Sequence, residues 1–304
     1  MSLSTSRHCE SQSAEAIHKQ PTLIVCGTTS SGKSAYTFKL AKEYKKEVNI
    51  LSVDSRQFYK DIPIVSGQDD LSELPSNVTL FGQGFLEADQ VSNISDFQKY
   101  ANQIIIKTQS ENKKLIIVGG SGLYLKAITE NLGNAKVPPD AIFRKEAESY
   151  SVSTLQNILK SLNISLFNSL NNSDINNPRR LIRHIEISQS PKMSQKSTIY
   201  HLPSTTYSWL GLRKSPEALL QSIKERVVLR LKNGAIEEVE TLQKKYPNQS
   251  LPIYSTLGVS QIQKYLCQEI TKEELIKKWT IDDNNYAKRQ MVWFKKQPQI
   301  VWYD

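Results

Sequence analysis

The sequence predicts an α/β fold, a parallel sheet flanked by helices, with a small helical insertion and a helical C-terminal part. Three observations predict it. Residues 22–26 (TLIVC), 48–53 (VNILSV) and 115–118 (LIIV) are short apolar, β-branched runs of the kind buried in a sheet. Segments of helical periodicity alternate with them, and strands alternating with helices make a parallel sheet covered on both faces. Each run also ends in a polar motif: GTTSSGKS at 27–34, DSRQ at 54–57 and GGSGLY at 119–124. The carboxyl ends of strands are where open α/β sheets bind ligands.

The first motif matches the eight-residue P-loop pattern in full, and it lies between a strand and a helix, the context a P-loop requires. The sheet is therefore expected to be P-loop NTPase-like. Gly27 and Gly32 let backbone N–H groups turn inward around phosphate oxygens, and the helix that follows adds its positive N-terminal dipole. The segment Gly27, Thr28, Thr29, Ser30, Ser31, Gly32, Lys33 and Ser34 is expected to grip a diphosphate or triphosphate. Lys33 supplies charge to the terminal phosphates, and the Ser34 hydroxyl suits Mg²⁺. Tyr36, Leu40, Ala41 and Tyr44 then fall at helical spacing over 34–46.

The second strand ends in Asp54-Ser55-Arg56-Gln57. Asp54 has three readings: an acid that holds magnesium, a general base beside the phosphate site, or a strand-end cap. Arg56 suits a phosphate, and Gln57 can pair bidentately with an adenine edge. After the third strand, Gly119, Gly120 and Gly122 are expected to admit close backbone approach to a ligand, with Ser121 able to hydrogen-bond it. Alone, that turn is weak evidence. With the other two strand ends it completes one pocket.

Between the second and third runs, Phe97, Tyr100, Ala101, Ile104 and Ile105 mark an amphipathic helix, with Ser95 and Gln98 as its capping box. Residues 131–177, with Pro138-Pro139 and an Asn- and Ser-rich stretch, are expected to be a small helical insertion domain. The α/β core then comprises 21–130 and 178–304, after a flexible tail at 1–20. From about 215 the pattern reads as helical to the end. Ser215 and Pro216 are N-cap and N1 signals ahead of Leu219, Leu220, Ile223 and Val227. Gly234 ends that helix or bridges to the next, and Thr271 with Glu274 forms a capping box before a helix reaching toward Lys296.

Bulk composition narrows the function. Hydrophobic residues at 38% and charged residues at 23% are ordinary for a globular chain, and no apolar run approaches a membrane span, so no membrane partner is expected. Three widely spaced cysteines, Cys9, Cys26 and Cys267, argue against a disulfide framework or a zinc site and for a reducing, cytoplasmic setting. Histidines at 8, 18, 184 and 201 make no metal cluster. The formal charge of +9 favours acidic partners, nucleic acid first among them.

Two basic stretches sharpen that. Arg179 and Arg183 lie four apart on one helical face in PRRLIR at 178–183. Residues 284–297 interleave Lys288, Arg289, Lys295 and Lys296 with Tyr286, Trp293 and Phe294. Such mixtures suit a nucleic-acid backbone and unstacked bases. Trp293 and Phe294 read better as core, while Lys288 and Arg289 fit a solvated face or a contact equally.

Together these residues resemble the tRNA dimethylallyltransferases, enzymes that prenylate N6 of an adenosine beside the anticodon. The resemblance runs from about residue 21 to the C-terminus. It is carried by GTTSSGKS, DSRQFYKD at 54–61, VGGSGLYLKAI at 118–128, PRRLIRHIEI at 178–187, GAIEEVETL at 234–242 and YAKRQMVWFKKQP at 286–298. It implies transfer from dimethylallyl diphosphate to position 37 of tRNA, recognised through its anticodon stem-loop. It also implies Mg²⁺ at Ser34 and, for the protein, a monomer. The resemblance makes Asp54 the acceptor of the N6 proton, with Lys33 and Ser121 as further catalytic residues, and gives Arg226 a part in holding diphosphate. It implies tRNA contacts at Asp54, Ser55, Arg56, Gln57, Ser121, Arg144, Arg179, Arg180, Leu181, Ile182 and Arg183, and further contacts at Ser255, Thr256, Leu257, Gly258, Val259, Ser260, Lys288 and Arg289. Ser222 stands where the family usually carries arginine. Three other readings compete: an isopentenyltransferase acting on free adenine nucleotides, a P-loop kinase, and a tRNA-binding homologue with weakened catalysis.

Overall fold

The computed structural model describes residues 21–90, 93–130, 137–190 and 206–303. The segment 1–20, Cys9, His8, His18, His201 and residues 131–136 of the expected insertion lie outside them. In chain order the elements are β1 (Thr22–Gly27), α1 (Lys33–Lys42), β2 (Val48–Val53), α2 (Pro63–Ser66), β3 (Val78–Phe81), α3 (Ile94–Ser110), β4 (Lys114–Gly119) and α4 (Gly122–Thr129). There follow α5 (Ala141–Ala147), α6 (Val152–Leu162), α7 (Ile164–Ser169), α8 (Asn172–Ile175), α9 (Pro178–Gln189) and β5 (Tyr207–Leu212). The chain finishes with α10 (Pro216–Lys232), α11 (Ala235–Lys245), α12 (Val259–Leu266), α13 (Lys272–Phe294) and β6 (Ile300–Tyr303).

The described residues form two compact units: 21–90, 97–129 and 206–303 in one, and 93–96, 130 and 137–190 in the other. The first holds a six-stranded, all-parallel sheet in the order β3-β2-β4-β1-β5-β6. Alternation along the strands divides its core. Ile24, Cys26, Leu51, Val53 and Ile117 pack with Phe97, Ala101 and Ile105 of α3 and Phe294 of α13. Val25, Val48, Ile50, Ile116 and Val118 face the other way and pack with Ala41 of α1. A third cluster ties α10 to α13 together through Val227, Leu231, Val239, Ile262 and the fully buried Trp279.

The first unit departs from the sequence reading in several places. β3, β5 and β6 join the three strands expected, and β6 ends the helical run that was read to the C-terminus. α1 stops at Lys42, leaving Tyr44 beyond it. At the start of α3, Asn93 accepts the Ser95 and Asp96 N–H groups, so it takes the capping role expected of Ser95. Gln98 donates to the Ala127 carbonyl at 2.7 Å instead of closing a box. The N-caps at Ser215 and Thr271 stand, the latter in a full capping box with Glu274.

The second unit is built on α6 and α9. Leu155 and Leu159 pack with Leu181, Ile185 and Ala147. The sequence reading ended this insertion at 177, but α9 shares its apolar core. Among the described residues no helix is long and apolar enough to cross a membrane.

Candidate active site

The strand register builds the site. Cys26 of β1 and Val53 of β2 both pair with Gly119 of β4, so the motifs that follow these three residues leave the sheet side by side. On the other flank of β1, Gly27 lies opposite Leu212 of β5. A cavity of about 680 Å³ opens at this edge. Thr29, Ser30, Gly32, Lys33 and Ser34 line it, with Asp54 to Gln57, Asp69, Gly119 and Gly120. Ser222, Arg226 and Arg230 of α10, Ser255 to Leu257, and Asp283, Tyr286, Arg289 and Gln290 of α13 complete the wall. The α13 residues recur at the three- and four-residue spacing that puts them on one face of a helix.

The phosphate loop has the geometry its sequence requires. Gly32 takes φ +94°, a left-handed conformation natural to glycine, and leads directly into α1. Thr28, Ser30 and Ser31 each carry a buried hydroxyl without a hydrogen-bond partner among the described residues. Buried polar atoms are normally paired, so these unpaired hydroxyls suit a loop whose partner is a ligand. Lys33 donates to the Thr28 carbonyl at 2.5 Å. Burial, and then the nearby Arg226 guanidinium, bring the Lys33 ammonium down to about 8. Arg226 donates to Thr29 Oγ1 at 3.1 Å and to the Gly67 carbonyl at 3.2 Å, which places it at the loop.

Ser34 Oγ donates to Asp69 Oδ2 at 3.3 Å. Hydroxyl and carboxylate oxygens suit a hard cation such as Mg²⁺. Among the described residues no three His, Cys, Asp or Glu side chains converge on a metal.

Asp54 lies at the end of β2 with one carboxyl oxygen accepting the Arg56 N–H at 3.0 Å. Its other oxygen accepts no hydrogen bond among the described residues. Arg230 and Asp283, both buried, face each other at 3.6 Å on the same cavity wall. Burial raises the Asp283 carboxyl above its ordinary range, with Arg230 opposing that shift.

Gln290, not singled out in the sequence, closes the site. Its side-chain oxygen accepts the Thr29 N–H at 2.8 Å, and its amide donates to the Gly120 carbonyl at 3.0 Å. It therefore clamps the phosphate loop to the third motif. The glycines of that motif serve α13 more than a ligand. A Cβ on Gly120 would lie 2.5 Å from the Gln290 amide nitrogen, and one on Gly122 2.3 Å from the Trp293 ring. Ser121 follows Gly120, which lines the cavity, and lies close enough to Tyr286 to moderate the rise of that phenol. Burial pushes the Tyr286 phenol up to about 12.

Other expected contacts divide by exposure. Gln57 is buried, accepts from Ser52 at 2.9 Å and donates to the Gly67 carbonyl at 2.6 Å, so its amide is committed to the protein and not to a base edge. Arg56 donates to the Pro252 carbonyl at 2.8 Å. Val259 is fully buried, and Gly258 has no room for a side chain beside Trp279, so both belong to the packing. Ser255 and Ser260 are exposed, and Thr256 has a buried, unpartnered hydroxyl. Arg289 faces the cavity and Lys288 is exposed. Lys214, also absent from the sequence reading, donates to Ser222 Oγ at 2.8 Å and brings a cation to that stretch of wall.

In the second unit, Arg144 grips the buried Glu186 at 2.6 and 3.0 Å. Arg183 donates to the same carboxylate at 3.0 Å and to the Val137 carbonyl at 2.8 Å. Burial pushes the Glu186 carboxyl up, but these donors and the Asp140 N–H hold it below the ordinary range. Arg180 pairs with Asp174 at 2.6 Å. Leu181 is core and Ile182 packs against it. Arg179, of the four arginines, is exposed and makes no ion pair among the described residues.

A parallel sheet that carries a P-loop and a strand-end carboxylate on one cavity defines a protein of the P-loop NTPase-like fold. The profile of the IPP transferase family matches residues 57–297, and the chain belongs to that family. A tRNA dimethylallyltransferase from Picosynechococcus is 31% identical over 93% of this chain and 93% of its own. The tRNA isopentenylpyrophosphate transferase of Bacillus halodurans is 26% identical, with a TM-score of 0.67 over 94% of this chain and 90% of that one. A eukaryotic dimethylallyltransferase acting on tRNA shares the fold at a TM-score of 0.75, with 22% identity over 93% of this chain and 73% of its own.

Proposed function

We propose that this protein transfers the dimethylallyl group of dimethylallyl diphosphate to N6 of the adenosine at position 37 of tRNA. The observation that carries this is the opening of Asp54 and the phosphate loop onto one cavity of about 680 Å³. The names of its relatives supply tRNA as the acceptor.

The chemistry follows from the wall. The diphosphate lies against the loop, where Lys33 and Arg226 take up charge as it leaves. Preorganised donors at a point of developing charge are the strongest catalytic device a site of this kind has. N6 forms its bond to the allyl carbon as the carbon–oxygen bond to diphosphate breaks, and that electron pair departs on the diphosphate. The N6 proton passes to the free oxygen of Asp54, which matters because an exocyclic amine is a weak nucleophile. When bound at Ser34, Mg²⁺ supplies further charge neutralisation for the leaving group. The base is flipped out of its loop to reach the cavity, since the target nitrogen is otherwise enclosed. Tyr286 and Arg289 of α13, Thr256 beside them and Arg56 offer it stacking and hydrogen-bonding surface.

The test is mass spectrometry of nucleosides from an A37-containing tRNA incubated with protein, Mg²⁺ and dimethylallyl diphosphate, beside a parallel reaction with AMP. Dimethylallyl adenosine in the tRNA is expected. Product on AMP alone, or on neither, overturns the reading.

A further inference from the structure

One carboxylate does not belong where it is if the phosphate loop works alone. Asp69 lines the cavity at the loop, 35 residues along the chain from Ser34. It makes no salt bridge within 4 Å among the described residues, and the Lys33 ammonium is the nearby cation that its charge acts on. An anion facing a bound diphosphate repels it, unless a cation lies between them.

The position of Asp69 is built. Gln83 donates to its Oδ2 at 2.7 Å and accepts its backbone N–H at 3.0 Å. The preceding loop is stitched from several sides. Gln57 and Arg226 donate to the Gly67 carbonyl at 2.6 and 3.2 Å, and Arg230 to the Ser66 carbonyl at 3.2 Å. Gln68 donates to the Gln57 and Tyr59 carbonyls at 2.9 and 2.7 Å. Glu238 of α11 caps α2 just upstream, accepting the Ile64 and Val65 N–H groups at 2.8 and 2.7 Å. So much anchoring holds the Asp69 Oδ2 against the Ser34 hydroxyl at the cavity.

We propose that Asp69 and Ser34 together form a divalent-cation site completed by the oxygens of a bound diphosphate. Mg²⁺ takes near-octahedral oxygen ligation and is held by one or two carboxylates plus substrate phosphates, keeping several waters. One hydroxyl, one carboxylate and a diphosphate meet that requirement. The inference rests on the reading that the loop holds a diphosphate, and it adds the residue that makes the grip depend on metal. It also assigns the carboxylate role to Asp69 in place of Asp54, which leaves Asp54 free to take a proton.

The test uses Mn²⁺ as a paramagnetic probe with inorganic diphosphate, on the full chain and on Asp69→Asn. In the wild type, free Mn²⁺ signal is expected to fall sharply only when diphosphate is present. Asp69→Asn is expected to weaken that ternary binding about tenfold or more, as loss of a metal ligand should, while metal-free diphosphate binds as well as before or better. Equal Mn²⁺ affinity in the two proteins overturns the proposal. If Asp69→Asn does not fold, anomalous scattering from wild-type crystals grown with Mn²⁺ and diphosphate decides: a peak at the Asp69 carboxylate supports the site, and one elsewhere refutes it. The underlying reading fails separately. A wild type that binds no diphosphate removes the phosphate loop's role. A wild type with the Mn²⁺ site but no prenyl transfer removes the assigned reaction and leaves the site.

Discussion

The cavity at the sheet edge and the arginine-rich helix α9 are both rich in charge, yet they are finished differently. In α9 and its surroundings, Arg144, Arg180 and Arg183 already have carboxylates: Glu186 for two of them and Asp174 for the third. At the sheet edge, the hydroxyls of Thr28, Ser30, Ser31 and Thr256 have no partner, and one oxygen of Asp54 stands free of hydrogen bonds among the described residues. The difference separates structural charge from functional charge. A basic stretch that satisfies itself holds a fold together, whereas a polar surface left incomplete is waiting for a ligand.

The sharpest way to break that contrast is Asp54→Ala. Turnover should fall by about 10² to 10⁴, the usual worth of a general base, while tRNA binding measured by filter retention stays within a few-fold. Near-normal turnover would remove the base assignment. The next test is pH. Lys33 is charged below about 8 and neutral above it. Affinity for diphosphate, followed by calorimetry without metal, should therefore hold below that pH and weaken as pH rises through it. Binding that strengthens over the same range would contradict the assignment.

Gln290→Leu keeps the volume of the clamp and removes both hydrogen bonds. A loop displaced by a fraction of an ångström should cost about tenfold to a hundredfold in kcat/KM, with little loss in thermal stability. A fall in melting temperature with unchanged kinetics would make Gln290 structural. The smallest effect belongs to the second unit. Arg179→Ala should lower the salt slope of tRNA binding by about one, the signature of a single phosphate contact. Arg183→Ala should instead lower the stability of that unit. The reverse result would reassign the two arginines.

The central sheet was legible because β1, β2 and β4 are largely buried and so read as short, mainly apolar runs. β3, β5 and β6 were not. Val78–Phe81 is only half-buried, Ser208 and Gly211 interrupt β5, and Ile300–Tyr303 follows a long helix closely enough to read as its continuation. The phosphate loop and Asp54 were legible because their chemistry is local. Asp69 was hidden in a stretch without periodicity and becomes meaningful only through contacts with Ser34 and Gln83. Gln290 lies inside the YAKRQ motif, but its partners Thr29 and Gly120 are brought to it by the fold. The arginines misled in the other direction: the sequence shows Arg179, Arg180 and Arg183 close together, but not that Glu186 is buried and occupied by Arg183 and the distant Arg144.

The Gln290 clamp also bears on the order in which the protein matures during synthesis. The Thr29 amide finds its partner 261 residues later in the chain. Strand, loop and helix for gripping phosphate emerge from the ribosome long before the amide that orients the loop. A nascent chain can pair β1 to β4 early, yet it has no finished site until the end of α13 has been translated. Translation that stalls before that point therefore leaves a sheet without an assembled catalyst.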